Sequence, residues 1–257
     1  MTKARFVRGV IGIAAAIAAI ELASRTGLVD KVALPPASTV LARAVGQLGD
    51  SDFLHSMAST LEAWFGGLLI AIAIAVPLGL ALGSIRWLGT ASRVVVEFLR
   101  PIPSVALIPL AIVVFASTTN VKMSLIVYAA TWPILINTLY ALADVDPLAK
   151  DTLRSFGFGR LAVLWRVTLP FAAPFVTTGI RISAAIGLIV VVSAELFSGG
   201  GGLGTYLSQT QSGGGRPDLL LAGALWAGLI GLAVNAGLVW TERKVFAWHA
   251  ARTEGAA

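Results

Sequence analysis

The sequence contains no cysteine, which excludes disulfides, thiolate metal sites and cysteine nucleophiles. Charge is scarce too: Asp, Glu, Lys and Arg make up 12% of the 257 residues, about half the quarter typical of water-soluble domains. Histidine is limited to His55 and His249. Neither falls within an apolar run, so a membrane-embedded Ser–His or metal hydrolase has no residues to work with. No GxxxxGK[ST] phosphate loop occurs, and ATP cannot be held by that route.

What is abundant is apolar sequence. Hydrophobic residues make up 57% of the chain and the mean hydropathy is +0.86. No charge interrupts Ala63 to Gly83, Pro101 to Ser117, Met123 to Ala143 or Leu219 to Trp240. Each run approaches or exceeds the ~17–25 residues that cross a ~30 Å hydrocarbon core as helix. Backbone polar groups must pair within such a segment, so these runs are read as helices. Two more segments join them. Residues 9–23 follow Lys3, Arg5 and Arg8, a pattern shared with secretory signals; the segment is expected to be retained as a first helix. Residues 174–197 are interrupted by Arg181. The expected fold is all-α and integral to the membrane, one domain with about six spans at 9–23, 63–83, 101–117, 123–143, 174–197 and 219–240.

Lys and Arg sort unevenly between alternate connections. Fourteen of the 19, among them Arg86, Arg93, Arg100, Lys150, Arg154, Arg160 and Arg166, fall in one set, and five, including Arg43, Lys122 and Arg216, in the other. The rich set marks the cytoplasmic side, so both termini and the 144–170 loop are expected there. The same bias accounts for the pI near 10.2 without a nucleic-acid partner. On the outer side, residues 24–60 are expected to lie along the membrane surface. The loop at 198–218 carries eight glycines, with a short helix or re-entrant turn around Leu203 to Gln209.

The 144–170 loop is the most informative segment. Asp146 suits an N-cap and Pro147 the first helical position. Leu148, Thr152, Leu153 and Phe156 recur at helical spacing. Gly157 and Gly159 are expected to end that helix through left-handed backbone. A second helix should follow, with Leu161, Leu164, Trp165 and Thr168 on one side, and Pro170 should end it. An apolar helix pair this short is not stable alone; its own bundle or a partner must cover it.

The loop resembles the signature loop of permease subunits of binding-protein-dependent ABC importers. In that pattern an EAA triplet is followed by three residues, Gly, nine residues, Ile, one residue and Leu-Pro. Gly157, Val167, Leu169 and Pro170 stand at the matching intervals, while Asp151, Thr152 and Leu153 occupy the triplet. RPIPSVALIPL from Arg100, TWPILINTLYAL from Thr131, and TTGIRISAAIGLIVVVSAE from Thr177 with GLG at Gly202 are similar to the third, fourth and fifth spans of the nitrate, sulfonate and taurine branch. The likeness covers about residues 35–248.

This resemblance implies a type I ABC importer transmembrane domain in the bacterial inner membrane. It implies a homodimer around a central pathway, two ATPase subunits carrying ATP and Mg, and an extracytoplasmic substrate-binding protein; this chain itself would bind no cofactor and catalyse nothing. Asp151, Leu153, Phe156, Gly157, Gly159, Leu161, Trp165, Val167, Leu169 and Pro170 would couple to the ATPase. Substrates of the branch are small oxyanions and organic acids such as nitrate, sulfonates and taurine. Independently of the resemblance, Asn137, Arg181, Glu195 and Asn235 are candidate pathway or gate residues, since polar groups inside spans are functional candidates. Snorkelling competes for Arg181, interhelical hydrogen bonding for the asparagines, and plain solvation for Glu195. The alternative class is an ion-coupled secondary transporter, which would place carboxylates at mid-span within inverted repeats; neither feature is apparent.

Overall fold

The computed structural model describes residues 3–30, 34–212 and 216–246. Among these, the regular structure is helical: α1 (Lys3–Arg25), α2 (Ala37–Gln47), α3 (Ser51–Ser84), α4 (Arg86–Leu99), α5 (Ile108–Val114), α6 (Thr118–Ala143), α7 (Pro147–Ser155), α8 (Arg160–Val163), α9 (Leu169–Ser198), α10 (Leu203–Ser212) and α11 (Pro217–Val245). Five helices are long and apolar enough to cross a membrane, or six if one bent pair counts as a span. Five of the expected spans lie inside α1, α3, α6, α9 and α11. These helices outrun the apolar stretches because their polar ends continue beyond the hydrocarbon. α3, capped by Asp50 through the amides of Asp52 and Phe53, is about 51 Å long at 1.5 Å per residue.

The expected span at 101–117 is corrected. It is not one helix: α4 ends at Leu99, a turn carries Arg100 to Pro103, and a 3₁₀ segment (Ser104–Leu107) leads into the short α5. The two arms, Trp87–Leu99 and Ser104–Val114, meet at 78°. Proline is the cause, since Pro101 and Pro103 have no N–H to continue the α4 ladder. The Leu99 carbonyl, denied an α-helical donor by Pro103, accepts from the Tyr128 hydroxyl at 2.6 Å and from the Ile102 amide at 3.2 Å. Tyr128 lies near the middle of α6, so the elbow packs against a spanning helix. Arg100, assigned above to a cytoplasmic connection, borders cavities lined by Trp132, Ile136 and Tyr140 of that helix.

The core is the three-helix contact of α3, α6 and α9. Small residues let these backbones approach, as packing in lipid requires. A Cβ on Gly67 would fall 2.7 Å from Ile126, and one on Gly79 would fall 2.7 Å from Thr138. Two hydrogen bonds lock the third helix in: Trp64 Nε1 donates to the Ala184 carbonyl (2.9 Å) and Ser183 Oγ to the Ala130 carbonyl (2.6 Å). Ala71, Ala75, Ile126, Ala130, Ile134 and Val191 are fully enclosed between them.

α1 and α2 stand outside this core. Glu21 of α1 accepts from the Ser38 amide and hydroxyl at 2.9 and 2.8 Å, and most of α1 is bare. α2 packs within the fold. It is strapped to α11 by Arg43–Asp218 (2.8 Å) and by Trp226 Nε1 donating to the Ala44 carbonyl (2.9 Å).

Candidate functional site

Two regions concentrate the features of interest: the loop carrying α7 and α8 at one end of the bundle, and a buried polar cluster at the end carrying α10.

The α7 loop is built by local rules. Asp146 accepts from the Leu148 amide at 2.8 Å, and Pro147 occupies the first turn. At the far end the Phe158 amide donates to the Leu153 carbonyl (3.1 Å) and the Gly157 amide to the Arg154 carbonyl (2.9 Å). With Gly157 at φ +84°, this is a Schellman stop, which needs a residue tolerant of left-handed backbone. Two expectations are corrected. Gly159 has φ −69° and is the N-cap of α8, so a single left-handed residue suffices for the turn. Pro170 ends nothing: it sits in the first turn of α9, where its missing N–H is tolerated. A π-helical segment, Leu164–Thr168, joins α8 to α9, so helix runs from Arg160 to Ser198 over 39 residues.

The exposure pattern of this loop is its main chemical feature. Leu148, Phe156, Leu161 and Trp165 are 71%, 78%, 69% and 65% exposed, whereas Val163 and Thr168 point into the bundle. The expected face of the second helix is therefore divided, with Leu161 and Trp165 outward and Thr168 inward. Leu153, Val167 and Leu169 are half-buried and Pro170 is exposed. Asp151 pairs with Arg154 at 3.0 Å with both side chains largely in solvent, an arrangement worth little energetically. Arg166 lies over the Phe158 ring, 4.8 Å from its centre. Between the loop and the ends of α3 and α6 is a cavity of about 640 Å³, lined in part by Lys150, Arg154 and Arg160.

The four polar candidates do not converge. Arg181 forms an ion pair with Glu242 of α11 at 3.1 Å, so its charge is partnered within the chain. Asn137 donates to the Pro133 carbonyl of its own helix at 2.8 Å; it makes no interhelical bond of the kind weighed above. Asn235 is exposed on α11. Glu195 is fully buried rather than solvated. It pairs with Lys122 (3.1 Å), accepts from Thr60 Oγ1 (2.9 Å) and accepts from the Gly204 amide (3.1 Å). Lys122 also donates to the Gly201 carbonyl (2.7 Å), and Thr60 accepts from the Leu203 amide (2.8 Å). One ion pair thus ties α3, α6 and α9 to the glycine loop and α10. Sequence reasoning missed Lys122 and Thr60. The available signal was that Lys122 is the lone charge between Pro101 and Ala143.

The family described as binding-protein-dependent transport system inner membrane component matches residues 67–246. Similar proteins include one named as an ABC transporter permease in Methanocaldococcus jannaschii, 34% identical over 79% of this chain and 76% of that one. The taurine transport system permease protein TauC of Escherichia coli is 29% identical over 86% and 82%. The nitrate import permease protein NrtB of Leptolyngbya laminosa is 27% identical over 73% and 67%. A chain from inward-facing conformations of the MetNI methionine ABC transporter shares the fold, with a TM-score of 0.61 at 18% identity over 82% of this chain and 98% of that one.

Proposed function

Because this chain belongs to the binding-protein-dependent transport system inner membrane components, we propose that its α7–α8 loop is the surface through which a separate ATPase drives it. The chain is a multi-pass permease subunit of an ABC importer; the family is non-catalytic, and this settles the choice against an ion-coupled secondary transporter. Our reading adds a pair of such chains around a central pathway and an ATPase subunit, with its ATP and Mg, docked on each loop. A substrate-binding protein serves the opposite side. The α7 end and both termini face the cytoplasm, in keeping with the Lys and Arg distribution. The proposed substrate is a small oxyanion or organic acid, supported by likeness to taurine and nitrate permeases; selection among such solutes rests with the binding protein.

One observation carries the coupling proposal: Leu148, Phe156, Leu161 and Trp165 present bare apolar surface on a loop beyond the end of the bundle. Outside the hydrocarbon, such surface gains about 25 cal/mol per Å² when a partner covers it. The continuous helix from Arg160 to Ser198 then links the docked surface to the core. When the docked loops are drawn together by ATP, α9 must move with them, and the α3–α6–α9 core tilts.

The test is co-expression with the ATPase subunit and recovery of the complex in detergent. Trp165→Glu puts a charge into the proposed contact without touching the bundle. It should lower ATPase recovery about tenfold or more, on the scale of losing one buried aromatic anchor, while the permease still inserts and purifies. Undiminished recovery together with normal ATP-driven uptake would remove the loop from the coupling role.

A further inference from the structure

The geometry points to a second functional element, resting on the permease reading above: the elbow between α4 and α5 is an anion subsite of the pathway, with Arg100 as its charge. Irregular backbone at membrane depth is tolerated only where it is buried in protein or lines a wet cavity. The elbow is not buried. Arg100, Pro101 and Pro103 are exposed on the single chain, and Tyr128 of α6 holds the adjoining Leu99 carbonyl. Among the described residues the Arg100 guanidinium has no hydrogen-bond or ion-pair partner, since nearby Glu97 is held by Arg93 at 2.8 Å. An unpaired arginine facing lipid at this level is costly. In the proposed pair of chains it faces water between the two copies, where the alternative of burial against the second copy would leave its charge unmet.

The surroundings suit an anion. Arg100 shares a cavity of about 590 Å³ with Ser104, Asn137 and Trp132, of which Asn137 already donates to the Pro133 carbonyl. No carboxylate lines it; a neighbouring cavity of about 300 Å³ that Arg100 also borders holds the Arg93–Glu97 pair. The indole N–H of Trp132 is enclosed and has no partner among the described residues, an orphan donor that calls for an acceptor in some state of the protein. Tyr128 and Trp132, 5.7 Å apart and edge to face, also border a second, mostly apolar cavity of about 520 Å³ in which Asn120, Ser124 and Thr131 stand among Ile70, Ile74 and Val127. The two aromatic rings therefore stand between two chambers on the same side of α6. The ligand is a small oxyanion, a carboxylate, sulfonate or nitrate-like group, held at Arg100 during passage. The Arg181 site is not this element, because its charge is already met by Glu242.

The permease has no native cysteine, so in the assembled complex with a cysteine-free ATPase Ser104→Cys is the one reporter position. Two methanethiosulfonate reagents of similar size, one bearing a sulfonate and one a trimethylammonium, probe water access and local charge together. Both should react. The rate ratio should favour the anionic reagent about tenfold or more over the ratio for free cysteine, as one nearby unpaired charge requires. Arg100→Gln should abolish the preference and Arg100→Lys should keep it, with co-purified ATPase confirming assembly in each case. No reaction at Ser104→Cys would mean the elbow is sealed or faces lipid, and the subsite is wrong. Reaction whose charge ratio ignores Arg100→Gln would also overturn it. The measurement is run in vesicles of phosphatidylcholine alone and with added phosphatidylglycerol. A preference that vanishes only with the anionic lipid would assign Arg100 to a lipid headgroup and likewise overturn the proposal. The coupling loop is not involved in any arm, so failure here leaves the Trp165→Glu result unaffected, and the reverse.

Discussion

At the level of single residues, the Lys122–Glu195 pair has the largest energetic consequence. Both side chains are almost wholly enclosed. Removing one partner of such a pair leaves a buried charge alone and costs about 3–5 kcal/mol. Lys122→Met should therefore lower the thermal stability of the purified permease sharply. Lys122→Met with Glu195→Gln should recover part of the loss, because the amide still accepts from Thr60 and Gly204 while no net charge remains. Tryptophan fluorescence or size-exclusion melting reads both. A double variant as unstable as the single one would show that the glycine loop, and not charge, dominates the cluster. Chain position suggested only that Glu195 sits near the outer end of a span; that it is sealed under α10 depends on Thr60 and Lys122, 135 and 73 residues away.

At the level of elements, the α7–α8 turn separates two glycines that look alike in the sequence. Gly157 has φ +84°, and a Cβ there would meet nothing within 4 Å. The penalty for a side chain is thus conformational, about 1–2 kcal/mol for an L-residue in this region, and greater for a β-branched one. Gly157→Val should misdirect α8, reduce ATPase recovery and lower uptake per ATP hydrolysed, with the bundle intact. Gly159→Ala, at φ −69° and also in open space, should behave like the parent in both assays. Equal defects in the two variants would place the sensitivity in loop packing, not in the left-handed turn. The start of α7 was legible because Asp146 and Pro147 act within one turn. The fate of Pro170 was not, since a proline after a short amphipathic stretch reads equally as the end of one helix or the first turn of the next. The π segment and the packing of Thr168 decide for the latter.

At the scale of the whole molecule, the proposed orientation sets which partners each end can meet. Single cysteines at Ser155 and Gln209, both exposed and at opposite ends of the bundle, should be labelled by an impermeant maleimide from opposite sides. Ser155→Cys should react only after the cytoplasmic face is opened, and Gln209→Cys in intact cells. Labelling of Ser155→Cys from outside would invert the topology and remove the α7 loop from reach of any cytoplasmic ATPase. The molecule also has a division the hydropathy profile does not show. α1 is as apolar as the other spans yet attaches to the rest largely through Glu21 and α2, while the family match begins at residue 67, within α3. Hydropathy reports solvent, and lipid and protein are equally apolar, so it cannot tell a core helix from a peripheral one.

The sequence by itself determined the solvent and the class. Charge-free runs dictate helices in lipid, Lys and Arg asymmetry suggests their direction, and a cap, a glycine stop and an apolar face mark the one loop that needs a partner. These are local or compositional properties, readable within a turn or a window. Tertiary structure decided everything that depends on which helices meet. It paired Arg181 with Glu242, buried Glu195 against Lys122, and left Asn235 outside. It also bent the third span at Pro101 and Pro103, so that Arg100, which a count of loop charges places in a connection, borders cavities along α6 between Trp132 and Tyr140. The physical reason is that a buried charge is set by its partners across helices, and those partners lie tens of residues away along the chain.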